Sequence, residues 1–139
     1  MEAHREEVTV VLAGYPDELG ALLDSNPGLR SRVGRRLDFP DFEPPQLLEI
    51  AVHMLGASDY KLDADARDAL RAGVAAIYLR RDPRSFGNGR AMRQLIDACL
   101  EEHAGRLRRL GALEDHCALS RLEAGDIERG VAGYLRERV

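Results

Sequence analysis

The spacing of apolar positions changes once along this chain, near residue 40. Before that point lies 7-EVTVVLAGY-15, whose apolar run Val8 to Ala13 barely alternates and is rich in β-branched side chains. A run of that kind predicts a strand covered on both faces, as in a parallel sheet. Gly14 and Pro16 end it. Residues 17-DELGALLDS-25 predict a short helix, with Asp17 as N-cap and Leu19, Leu22 and Leu23 on one face. Asn26-Pro27-Gly28 breaks that helix, and 35-RRLDFP-40 predicts a second short strand stopped by Pro40.

Beyond residue 40 the period is helical. Segment 41–58 opens a helix with Pro44 and Pro45 in its first turn, where proline is tolerated. Its stripe is Leu47, Leu48, Ala51, Met54 and Leu55. A second helix, 63–81, turns Ala66, Leu70, Val74 and Ile77 inward. A third runs from about Asn88 to Leu110 and buries Met92, Leu95, Ile96, Cys99 and Leu107. The last, about Glu123 to Arg138, places Ile127, Val131, Tyr134 and Leu135 on one face.

Two short strands do not make an independently stable sheet. The pattern therefore predicts an α/β remnant over residues 1–40, the end of a domain whose beginning is missing. An all-α four-helix domain follows over residues 41–139, so the chain is mostly α overall.

Composition narrows the function classes. The 139 residues are 45% hydrophobic and 32% charged, with a net charge of −4, which describes a globular protein rather than a disordered one. No apolar run approaches the ~20 residues of a membrane span. The start MEAHREEV lacks the layout of a signal peptide, and Cys99 and Cys117 form no spaced motif. A cytoplasmic location is the expectation. His4, His53, His103 and His116 have no ligand-like spacing, so no metal site is expected. Net negative charge, few aromatic residues and no recognised motif argue against nucleic-acid binding, and the run 106-RLRRL-110 reads as the solvated end of a helix, where cations complement the dipole.

One stretch runs against the acidic balance. The segment 25-SNPGLRSRVGRR-36 holds Arg30, Arg32, Arg35 and Arg36 just after the Asn-Pro-Gly turn. Taken alone, this cluster reads as a solvated basic loop. Together with 9-TVVLAGYPDEL-19, 38-DFPDFEPPQLLEIA-51, 86-FGNGRAMRQLIDACLEEHAGRL-107 and 126-DI-127, it resembles the C-terminal half of AAA+ ATPases. The branch it is most similar to is the CbbX type, which includes red-type Rubisco activases, stage V sporulation proteins of the K kind and ATPases of type VII secretion. "AGYPDE", "NPGLRSR" and "FGNGR" stand in the order and spacing of that branch.

The resemblance implies roles, residue by residue. Ser31-Arg32 matches the arginine finger that reaches a neighbouring subunit's nucleotide, with Arg30 as the second choice. Arg90, with Gly89 beside it, matches the sensor 2 position toward ATP. The sensor 1 slot falls at Gly14-Tyr15, so Tyr15 is a nucleotide-region residue without the usual polar sensor. The complete protein would use ATP and Mg²⁺, assemble as a homo-oligomeric ring of six, and remodel a protein partner. The residue-level alternative for Arg90 is a helix-start arginine paired with Asp97 or a backbone carbonyl, and Arg93 reads as structural. A phosphate loop of the G-x-x-x-x-G-K-[ST] form and an acidic Walker B run are both absent, so this chain alone is expected not to hydrolyse ATP. The functional alternative is a non-catalytic helical interaction module that binds or regulates a complete paralogue.

Overall fold

In a computed structural model, residues 9–138 are described. The chain divides into two units, one ending at Pro40 and one beginning at Asp41.

The first unit contains α1 (Pro16–Ser25) and the single turn α2 (Pro27–Arg30). Proline begins both helices, where its missing N–H costs nothing. The cap of α1 is Tyr15 rather than Asp17, and it makes no side-chain cap bond. Asn26, expected only to break α1, also starts α2 by accepting the Leu29 N–H on Oδ1 at 3.1 Å.

The two expected strands are not formed among the described residues. Residues 9–15 and 33–40 carry no regular secondary structure, and Val8 lies outside the described residues. The reason is physical: a strand is defined by the ladder it shares, and no other strand in this unit offers one. None of the described side chains of this unit is buried. Val11 is 82% exposed and Phe39 90% exposed.

The second unit is built on four long helices: α3 (Pro44–Ala57), α4 (Ala64–Leu79), α5 (Gly89–Leu110) and α7 (Ala124–Arg138). They lie where the helical period puts them. At the start of α3, the Gln46 side chain reaches back to accept the Glu43 N–H at 2.9 Å. Asp63 caps α4 by accepting the Ala66 N–H at 2.9 Å. Gly111, at φ 66°, ends α5 in the left-handed conformation that glycine adopts without a Cβ penalty. One short helix, α6 (His116–Leu119), precedes the last strand and carries the exposed Cys117.

The expected inward faces converge on one core. Leu47, Ala51 and Leu55 meet Leu70, Val74 and Ile77 from α4, then Met92, Leu95, Ile96 and Cys99 from α5 and Ile127 from α7. Val131, Tyr134 and Leu135 pack against its edge. Two glycines let α7 approach closely. A Cβ on Gly73 would lie 2.4 Å from Val131 Cγ2, and one on Gly130 would lie 2.7 Å from the backbone N and Cα of Cys99.

A feature with no counterpart in the sequence reading is a two-strand parallel pair, β1 (Lys61–Leu62) with β2 (Arg121–Leu122). It ties the start of α4 to the start of α7. Arg121 Nη2 adds an ion pair to Asp63 Oδ2 at 2.9 Å. The Ala66 N–H, and after it the Arg121 guanidinium, hold the Asp63 carboxyl below the usual range. No helix among the described residues is long and apolar enough to cross a membrane.

Candidate functional site

In the first unit the candidate residues sit around α1 and α2. Tyr15 precedes α1, its carbonyl accepting the Leu19 N–H at 2.9 Å, and its ring is largely exposed. Arg30 ends α2 and pairs with Asp24 across the turn, both side chains about two-thirds exposed at 67% and 65%. Exposed pairs of this type contribute only about 0–1 kcal/mol, so the guanidinium is readily given up to a stronger anion. Arg32 follows the turn, is exposed, and donates from Nη1 to the Gly28 carbonyl at 2.9 Å. Arg32 is thus folded back onto the Asn-Pro-Gly turn, and Arg30 onto the end of α1. Arg36 pairs with Asp38 at 2.8 Å in the extended stretch beyond.

In the second unit Gly89 and Arg90 open α5. The Arg90 side chain is exposed and makes no hydrogen bond or ion pair among the described residues. The pairing with Asp97 that would have explained it structurally is not formed. Its stem lies over Gly87, where an added Cβ would come within 3.3 Å of Arg90 Cβ and 3.7 Å of Cδ. Gly89 itself has open space where a Cβ would be. The first-turn N–H groups of a helix and a cation without a partner together favour an anion.

Just behind Arg90 is a polar corner that sequence reading did not single out. Asn88 accepts the Phe42 N–H on Oδ1 at 2.9 Å and donates from Nδ2 to Asp41 Oδ1 at 2.7 Å. Asp41 Oδ2 lies 3.6 Å from Arg81 Nε. The Arg81 guanidinium stacks on the Tyr78 ring, 3.4 Å from its centroid, and donates from Nη1 to the Tyr78 carbonyl at 2.8 Å. The Tyr78 hydroxyl in turn donates to Glu43 at 3.1 Å. Burial, then this bond to Glu43, raises the Tyr78 phenol. The entry to α3, the end of α4 and the start of α5 are joined at this corner.

Comparison with known proteins places this architecture. Residues 43–133 match the family model described as the AAA lid domain. The chain belongs to the AAA lid family, in the CbbX branch of AAA+ ATPases. It is 39% identical over 127 residues to protein CfxQ of Xanthobacter flavus, covering 91% of this chain and 39% of that protein. It is 40% identical over 107 residues to protein CbbX of Cereibacter sphaeroides, covering 77% of this chain and 34% of that protein. Against the stage V sporulation protein K of Bacillus subtilis the identity is 36% over 107 residues, with 77% of this chain and 33% of that protein covered. The chain therefore spans little more than a third of the length of these curated relatives.

The lid also holds a buried polar network, and one reading of the sequence is corrected by it. The run 106-RLRRL-110 reads as a solvated helix end, yet Arg106 turns inward. Its Nε lies 3.0 Å from both oxygens of Asp126, its Nη2 lies 2.9 Å from Oδ2, and its Nη1 reaches Glu123 at 2.9 Å. Asp126 is fully buried and also accepts from Arg129 Nη2 at 3.0 Å and from the Glu123 N–H at 3.1 Å. Burial alone would raise its carboxyl; the Arg106 hydrogen bonds and the Glu123 N–H outweigh that and hold it below the usual range. His103 stands beside the pair, with Nε2 3.1 Å from the Leu119 carbonyl and Nδ1 3.1 Å from Arg106 Nη2. A carbonyl only accepts, so Nε2 is the donor there, while Nδ1 also faces Asp126 Oδ2 at 3.4 Å. The signal was present in the sequence as Glu123-x-x-Asp126 ahead of an apolar stripe, the spacing of a helix-start box.

Cys99, expected as a small core residue, is one. Burial pushes its thiol up to about 12, which leaves it unreactive. Among the described residues no group of His, Cys, Asp or Glu is arranged to hold a metal ion.

Proposed function

We propose that this chain supplies the C-terminal working parts of a CbbX-like AAA+ ATPase that couples ATP hydrolysis to remodelling of a protein partner. The observation that carries the reading is the Arg90 guanidinium. It stands at the N-terminal turn of a 22-residue helix without a partner among the described residues, inside the FGNGR motif. A planar, permanently charged side chain suits an oxygen-rich anion such as a triphosphate. Arg90 would contact the nucleotide of its own subunit, with Gly89 leaving the backbone open to close approach; Tyr15 would be a nucleotide-region residue by its place in the sensor 1 motif. ATP with Mg²⁺ supplies the phosphoryl chemistry when bound.

Arg32, and next to it Arg30, would act in trans as the arginine finger in a homo-oligomeric ring of six in the cytoplasm. Among their present contacts, Arg32 donates to a backbone carbonyl and Arg30 pairs with an exposed carboxylate, each weaker than a bidentate bond to phosphate. A finger makes hydrolysis depend on assembly, because the charge spread over the transferred phosphoryl group is met by the next subunit.

The test uses the complete subunit. Arg32→Ala should lower ATP turnover at least ~10²-fold, scaled down from the ~10³–10⁵-fold worth of arginine fingers, with ATP affinity kept. Arg90→Ala should instead weaken ATP binding. Unchanged turnover in the first variant removes the finger; unchanged affinity and turnover in the second reduce Arg90 to a helix-start residue.

A further inference from the structure

Asn88 is one of two non-glycine residues with positive φ among those described, at φ 45° and ψ −112°. That backbone region favours glycine, and a non-glycine residue held there carries strain of about 1–3 kcal/mol. Glycine would fit with no strain, so the side chain must return something that glycine cannot. It makes three contacts: the Phe42 N–H at 2.9 Å, Asp41 Oδ1 at 2.7 Å and the Phe86 carbonyl at 3.5 Å. Asp41 and Phe42 are the first two residues of the helical unit, 47 and 46 positions away in sequence. The Asn88 backbone is held as well, because its carbonyl accepts the Met92 N–H at 3.1 Å and the neighbouring Gly87 carbonyl accepts the Arg90 N–H at 2.8 Å.

Nothing in the core requires this tether. Ala91 and Met92 already bury the first turn of α5. What the tether adds is an angle: it fixes the turn that carries Arg90 against the entry to α3, with the Arg90 stem lying on Gly87.

We infer that Asn88 is a positioning residue for Arg90: by hydrogen bonding Asp41 and Phe42 it sets the direction in which the first turn of α5 offers the Arg90 guanidinium to nucleotide phosphate. The inference rests on the reading of Arg90 as a nucleotide contact. Asn88 itself touches no phosphate and acts only through Arg90.

The experiment is a double-mutant cycle in the complete subunit, read by titration with a fluorescent ATP analogue and by thermal melting. Asn88→Gly removes the side chain and relieves the backbone, so melting should move little while affinity falls about fivefold, the worth of one net hydrogen bond. In an Arg90→Ala background, Asn88→Gly should cost no further affinity. Asn88→Asp should lose affinity by setting a carboxylate against Asp41, and the swap Asp41→Asn with Asn88→Asp should recover it by restoring one donor and one acceptor. An equal loss from Asn88→Gly with and without Arg90 overturns the inference, because the effect would then be independent of that arginine. Full affinity in Asn88→Gly while Arg90→Ala weakens binding also overturns it, with the Arg90 reading left standing. Full affinity in Arg90→Ala removes the Arg90 reading itself, and the inference with it.

Discussion

Residues 9–40 and residues 41–138 have comparable supplies of apolar side chains, yet they use them differently. In the helical lid, Leu47, Leu70, Met92, Leu95, Leu122 and Ile127 are fully buried. In the preceding unit Val10, Val11, Leu12, Leu37 and Phe39 face solvent, and nothing described there is buried. The helices of the lid satisfy their own backbone and need only one stripe covered, which four of them do for one another. A strand has neither property: its N–H and C=O groups and both of its faces are completed by neighbours. The difference teaches that an apolar run is a request for partners, and that the partners decide whether it becomes an element.

The contrast can be tested from its strongest side first. Asp126→Ala takes from the largely covered Arg106 its buried counter-ion and leaves it only the exposed Glu123; it should cost the lid about 3–5 kcal/mol, read as a large drop in the denaturation midpoint. The same site predicts acid behaviour. The folded Asp126 carboxyl lies below its unfolded value, so its contribution is complete above the ordinary carboxylate range. It is lost as pH falls through the lowered folded value. Asp126→Asn should flatten that acid limb; an unchanged limb would show that other carboxylates set it.

Gly130→Ala comes next, at about 2 kcal/mol, because the new Cβ would meet the α5 backbone at Cys99 rather than a side chain able to move. A variant as stable as the parent would mean that α7 is free to slide. Smallest is Phe39→Ser in this 139-residue chain, expected within about 0.5 kcal/mol because the ring is exposed. A large loss there would break the comparison by showing that the first unit has a core of its own.

Much of the lid was legible in advance. The period placed all four long helices, and each expected inward face is buried or packed at the edge of the core. Family membership was legible too, because NPGLRSR and FGNGR are short, ordered and unusual. Of what was misread or missed, three cases show the reason. The strand over Val8 to Ala13 is not formed in the described part, since β propensity cannot supply a second strand. The β1–β2 pair was invisible because two residues are too few to show an alternation. Arg106 was misplaced on the solvent side because an arginine stem and head look the same in sequence whether they meet water or a buried carboxylate.

By itself, then, the sequence determined the helices, their inward faces and the family, because each of these is written in local periodicity or in contiguous motifs. Only the tertiary structure decided which polar groups meet. Asn88 with Asp41 and Phe42, Arg81 on Tyr78, and Arg106 with Asp126 join residues 3 to 47 positions apart. A hydrogen bond is satisfied by whatever group lies within about 3 Å in the right direction, and that distance is a property of the packed chain, not of the order of its residues.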